Sequence, residues 1–287
     1  MSRKIKYTMR TVGDLRFPML AVFMLFFSLS AYSQSYNELV TTGTQLLEDG
    51  DYDAAIVCYT KAINADSLNS INEMIYANMA QAYLGKGDTR RVEELYGKAL
   101  GKYPRSKMLY ALRAKFYLNQ DKKEKALIDC NKVLSMDANS EEVLYLRAYI
   151  LTEKKKYDLA RDDYYTLLAI NPDNRKAQFA LALLYAKERK DNQAQLLLDN
   201  LIEKNPDVPE YYLACSNIEK ENARYELALV YLDEGVKNCK ERNMLNLEKA
   251  EMLVAMKRYD EAKRVLDALS ASGYYSSRMK QLYKKCK

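Results

Sequence analysis

Apolar residues recur along this chain at helical spacing, in paired runs separated by short polar turns. The pattern is plainest between 141 and 174. There Leu144, Ala148 and Leu151 stand at i, i+4 and i+7, and Tyr157, Ala160, Tyr164 and Leu167 follow the polar turn Glu153-Lys154-Lys155-Lys156. Each run marks one face of an α-helix. Asn171-Pro172-Asp173 ends the second run, because proline disfavours helical geometry in the residue before it. The pattern predicts a helical hairpin.

The hairpin repeats. Ala126, Ala160, Ala194, Ala228 and Ala262 fall 34 residues apart, and twelve residues before them stand Ala114, Ala148, Ala182, Ser216 and Ala250. Val92 with Ala80, and Ala55 with Gly43, extend the series backward across a three-residue insertion near 69–72. A fixed period of this length is the signature of a repeat architecture. It divides the chain into seven units, 36–69, 73–106, 107–140, 141–174, 175–208, 209–242 and 243–276, with Pro104, Pro172 and Pro206 in one phase. One small residue on each helix of a pair lets the two backbones approach closely, where a larger side chain would hold them apart. Past the seventh unit, Met279, Leu282, Tyr283 and Cys286 form an i, i+3, i+4, i+7 stripe opposite Lys280, Lys284, Lys285 and Lys287. That predicts a capping helix at 277–287, covering the open apolar end of the stack.

These positions resemble the tetratricopeptide repeat family. Counted within each unit, the match is a small residue at 8, Ala at 20, aromatic or apolar residues at 4, 11, 17 and 24, and Pro at 32. Unit one carries it in Gly50-Asp51-Tyr52-Asp53-Ala54-Ala55-Ile56. The resemblance covers 36–276 and implies an all-α, right-handed α-solenoid of about seven helix-turn-helix units. Departures fall at Val92, Glu219, Lys240 and Tyr274, and they weaken mainly units two and six. Tyr76, Tyr110 and Tyr212 stand where the family often has Trp. Thirteen of the 25 tyrosines occupy positions 4, 11, 17 and 24, which makes them expected core.

The N-terminus departs from the repeat. Arg3, Lys4, Lys6, Arg10 and Arg16 precede an apolar run at 17–31, and Ala31-Tyr32-Ser33 places small residues three before and one before the Ser33/Gln34 bond. This is the pattern of a secretory signal peptide over 1–33, cleaved there, on a protein exported to the periplasm or envelope. The rival reading is an uncleaved anchor through 17–31, although that run is short of the roughly 20 residues that span a bilayer. Of the formal charge of +6, residues 1–33 hold +4, so the remainder carries only +2. A nucleic-acid surface would keep a concentrated positive excess in its folded part. None is expected here.

Candidate chemistry is sparse. The chain has no His, which excludes Ser-His-Asp triads, Cys-His pairs and His-ligated metals. Cys58, Cys130, Cys215, Cys239 and Cys286 have neither C-x-x-C nor zinc-ligand spacing. Their odd number forbids complete internal pairing, although Cys215 with Cys239 remains one conceivable bridge. Gly97-Lys98-Ala99-Leu100-Gly101 lacks the length and the Ser/Thr of a phosphate loop. No catalytic residue, metal or cofactor is expected. Lys122-Lys123-Glu124-Lys125 and Lys154-Lys155-Lys156 read either as solvated turns or as a small basic ridge for an acidic partner or anionic lipid.

In the resembling family the concave face is lined by the first helix of each unit at positions 2, 5, 9 and 12. Here those positions supply Lys115 in unit three, Tyr145 and Tyr149 in unit four, Phe179 and Leu183 in unit five, and Leu213 and Asn217 in unit six. An aromatic and apolar middle either marks a partner surface or packs between neighbouring first helices. The carboxylate clamp of chaperone-binding members is not matched, since its positions read Val40, Thr44, Asn78, Met108 and Leu112. The resemblance thus implies a non-catalytic scaffold that holds a protein segment or helix on its concave face. The alternatives are a membrane-tethered assembly factor and, last, a regulatory subunit of an enzyme.

Overall fold

The computed structural model describes residues 35–286; the signal-peptide reading of 1–33 lies outside the described residues, as does residue 287. Among the described residues there are fifteen helices and no strand. They fall into two compact bodies that divide after Gln120, inside the third expected unit.

The first body holds α1 (35–48), α2 (Tyr52–Ala65), α3 (Asn72–Gly85), α4 (Thr89–Lys102) and α5 (Lys107–Asn119). Its helices close on small residues. A Cβ added at Gly43 would lie 2.8 Å from the ring of Tyr59, so the aromatic ring of α2 lies directly over the backbone of α1. The Tyr59 hydroxyl donates to Thr44 Oγ1 at 3.2 Å and accepts from the Asn78 amide at 3.2 Å, joining α1, α2 and α3. The three-residue insertion is absorbed before α3 without breaking the phase. Asn72 is fully buried there, donates to the Asp66 carbonyl at 2.7 Å, and accepts from the Tyr36 hydroxyl at 2.9 Å. Val92, at a position that is otherwise Ala, is fully buried and fits.

The second body holds α6 (Lys123–Met136), α7 (Glu141–Glu153), α8 (Tyr157–Ile170), α9 (Arg175–Lys187) and α10 (Asp191–Lys204). It continues with α11 (Pro209–Glu221), α12 (Tyr225–Asn238), α13 (Asn243–Ala255), α14 (Tyr259–Ala271) and α15 (Ser277–Lys285). From α7 onward each helix packs on the next, and α7, α9, α11 and α13 also touch in sequence. The repeated small residues Ala148, Ala160, Ala182, Ala194, Ala228, Ala250 and Ala262 are all fully buried. At the last pair, Met279 and Leu282 of α15 bury against Leu247, Leu266 and Leu269.

Two polar groups in this core are paired. Asp163 on α8 receives both the Nε and an Nη2 hydrogen bond of Arg147 from α7, at 2.8 and 2.6 Å. Glu219, at a position where the family is apolar, is 4% exposed and is held by the Arg224 guanidinium from the following turn. A buried carboxylate is tolerated when a cation of fitting geometry meets it.

Candidate functional site

The sequence points to the outward side of the first helix in each hairpin, and the structure splits those residues by position. Tyr145, Phe179 and Leu213, all at position 5, are half-buried and pack against the interior of the second body. Tyr145 sits edge-on to Tyr164 with ring centroids 6.1 Å apart, and Phe179 lies 5.2 Å from the ring of Tyr211. Position 9 is different. Tyr149 is 45% exposed, Leu183 is 39% exposed, and Asn217 is exposed beside them. Lys115 is half-buried on α5 in the first body. At position 5, Phe179 meets Tyr211 of the neighbouring first helix and Tyr145 meets Tyr164 of its own hairpin's second helix, whereas the position 9 side chains stay exposed.

Between α9 and α11 this face opens into a cavity of about 420 Å³. Leu183, Ala186, Ala214, Ile218 and Tyr157 give it an apolar floor, and Lys187, Arg189, Asn217 and Glu221 stand at its rim. The rim cations are tied down: Lys187 reaches Glu153 at 2.8 Å, and Arg189 reaches Glu221 at 2.8 Å. An apolar floor with a few fixed polar groups suits an apolar side chain of an extended or helical segment. Leu183 and Asn217 were legible as site residues from position 9. Ala186 follows the same register at position 12. Ala214, Ile218 and Tyr157 were not: Tyr157 stands at the consensus interior position 17, and Ala214 and Ile218, at positions 6 and 10, belong neither to the consensus nor to the expected concave set.

The basic turns have a structural use. Lys154 pairs with Glu124 of the preceding turn, and Lys187 pairs with Glu153, so successive turns are joined by ion pairs. The Lys187 ammonium holds the Glu153 carboxyl below its ordinary range, first through a direct hydrogen bond. Within the two runs, Lys154 is answered by Glu124 and Lys123 by Asp121.

All five cysteines are free. Burial pushes the Cys130 and Cys215 thiols up to about 12, so both stay protonated at neutral pH. Burial likewise raises Tyr145 and Tyr164. Among the described residues no His/Cys/Asp/Glu group could hold a metal ion, and no helix is long and apolar enough to cross a membrane.

Comparison with known proteins agrees with this geometry. Profiles of the family described as tetratricopeptide repeat match residues 46–67, 78–141 and 151–218, together more than half of the 287-residue chain. Among solved structures, a tetratricopeptide repeat protein from Parabacteroides merdae is 20% identical with a TM-score of 0.68, covering 88% of this chain and 99% of its own. PilW, described as a widely conserved type IV pilus biogenesis factor, is 18% identical with a TM-score of 0.61, over 75% of this chain and 99% of its own. YrrB, described as a repeat protein with an unusual peptide-binding site, is 20% identical with a TM-score of 0.54, over 69% and 97%. No curated protein sequence matches.

Proposed function

The chain belongs to the tetratricopeptide repeat family, and from that premise we propose that it is a non-catalytic scaffold that docks a segment of a partner protein on the outward side of α7, α9 and α11. One observation carries this reading. Tyr149 and Leu183 are large, apolar-bodied and exposed where a merely solvated face would be polar, and Leu183 opens onto the 420 Å³ cavity. The fold is one that carries a peptide-binding site in YrrB. Half-buried Tyr145 and Phe179 form the rigid bed beneath, so docking meets a surface that is largely preformed.

A photo-crosslinking amino acid at position 183, compared with one at position 264 on α14, tests this in intact cells. The site at 183 should capture one partner that the control does not. With a peptide from that partner, Tyr149→Ala combined with Leu183→Ala should weaken binding about tenfold, some 1.4 kcal/mol. The melting temperature should move by less than about 2 °C. Unchanged affinity, or a collapse in stability, sinks the proposal.

The place of action is the cell envelope in this reading, supported by the basic, apolar and small-residue order of 1–33. N-terminal sequencing of the protein from its own cells should begin at Gln34. Retention of the apolar run 17–31 would turn the scaffold into a membrane-tethered assembly factor.

A further inference from the structure

The side of the second body formed by the second helices of its hairpins carries a pattern that the repeat does not need. On α8, α10 and α12, Leu159 is 54% exposed, Leu196 73%, Leu227 42% and Val230 56%. They are in register. Leu196 and Val230 lie one period apart at position 22, and Leu159 and Leu227 lie two periods apart at position 19, three residues earlier on the same helical face. The interior of these helices is already filled by Ala160, Tyr164, Leu167, Ala194, Leu198, Leu201, Ala228 and Leu232. Isolated exposed leucines need no explanation, but a registered set across three successive helices does.

The charge around the set is one-sided. Helices α8, α10 and α12 together contain nine acids and three bases. Of the bases, Arg161 is turned toward Glu188 at 2.5 Å, while Lys204 and Lys237 stand in the last turns of their helices. Exposed acids instead surround the aliphatic set, namely Asp162 on α8, Asp199 and Glu203 on α10, and Glu226 and Glu234 on α12. The neighbours on either side do not share this bias, since α6 has two acids and three bases and α14 has three acids and two bases. The acidic bias is therefore bounded, while the exposed aliphatic row runs on at position 22 to Ile128 of α6.

We propose that this outer face of α8, α10 and α12 is a second docking surface, and that its occupant is a basic amphipathic helix of a partner protein. Such a helix lays an aliphatic stripe along Leu159, Leu196, Leu227 and Val230 while its Lys and Arg residues meet the acids on both sides. Burial supplies affinity, and the complementary charge supplies encounter rate and rejects acidic segments. This surface is separate in residues from the one on α7, α9 and α11, so the two would bind different segments.

The test uses the full chain and a fluorescent synthetic helix of about 18 Leu and Lys residues, long enough to hold helical structure. Its controls are a Leu/Glu helix of the same pattern and a scrambled Leu/Lys peptide with no apolar face. Fluorescence anisotropy should show binding of the Leu/Lys helix, at least tenfold weaker binding of the scrambled peptide, and none of the Leu/Glu helix. Two variants with unchanged circular dichroism, L196S/V230S and E203K/E234K, should each weaken binding about tenfold. Y149A/L183A should leave it intact, which separates this surface from the first. The proposal is overturned if E203K/E234K binds as the parent does, if the Leu/Glu helix binds equally well, or if Y149A/L183A abolishes binding. It is also overturned if sedimentation reveals a dimer that L196S/V230S dissolves, because the occupant is then a second copy of this chain.

Discussion

At the scale of single residues, Glu219 shows what a departure from a repeat consensus costs. An acid at an otherwise apolar position looks like a flaw in unit six. In the structure the acid is buried, but Arg224, five residues on, reaches back to it while remaining half-exposed. Such a pair does little net stabilising work, and its value shows when it is broken. Arg224→Ala leaves a buried carboxylate without its cation and should cost about 1–3 kcal/mol. Glu219→Leu restores the apolar position and should cost less than that, or even stabilise. Urea denaturation of the two variants gives the comparison, and equal losses would contradict it. The same contrast runs through the site. Position 9 was readable because the resembling family lines its concave face there, turned away from the core positions 4, 8 and 11. The burial of Tyr145, Phe179 and Leu213 was not, because it depends on which neighbouring side chains reach them, Tyr164 of α8 over Tyr145 and Tyr211 of α11 over Phe179.

At the scale of elements, the hairpins differ in how they turn. The fifteenth residue of each unit is left-handed throughout: Gly50 and Gly87 in the first two, then Asp121, Lys155, Arg189, Ala223 and Lys257. In the fourth unit Lys155 donates to Thr152 and Lys156 to Leu151, so the residue after the first helix must turn left-handed to satisfy the last carbonyls. For a side-chain-bearing residue this costs about 1–2 kcal/mol, and glycine avoids it while giving up roughly 0.5–1 kcal/mol to unfolded-chain entropy. The next residue differs too. Asp51 and Asp88 cap their helices by accepting from Ala54 and Arg91, whereas Lys156, Lys190, Arg224 and Arg258 make no such bond. A lysine there also faces the positive end of the helix dipole. Ala223→Gly should therefore stabilise by about 0.5 kcal/mol, and Lys156→Asp by about 1 kcal/mol. Thermal melts of the two variants check this, and a drop in either would contradict the turn geometry. The helices and their inner faces were legible because a period of 34 with buried small residues has one packing solution. The turns were less so. Lys155 and Ala223 carry no sign of left-handed geometry, and only the alignment with Gly50 and Gly87 hints at it.

At the scale of the whole molecule, the excess of tyrosine becomes a property of the fold. Both bodies bury tyrosine hydroxyls, and the second also buries thiols, that stay neutral to higher pH in the folded chain than in the unfolded one. Burial pushes Tyr96 up to about 12 in the first body, and Cys130, Cys215 and Tyr231 up to about 12 in the second, with Tyr164 raised as well. In the unfolded chain thiols ionise near 8.5 and phenols near 10. The unfolded state thus releases protons first as pH rises, and stability falls from about pH 9 onward through the folded-state values. Below the unfolded values these groups keep their full contribution. On the acid side, Glu153 is lowered by Lys187, so its contribution is present above the ordinary carboxylate range and lost as pH falls through the folded value. That pair is largely exposed, and solvent screens it to a small effect. The melting temperature should therefore be nearly flat from about pH 6 to 8 and lie at least about 5 °C lower at pH 10.5. The share of tyrosinate absorbance that belongs to the buried Tyr96, Tyr164 and Tyr231 should rise together with the loss of helical circular dichroism. A melting temperature unchanged at pH 10.5, or tyrosinate signal appearing in full before the helices melt, would mean that these hydroxyls are not held inside the hairpins.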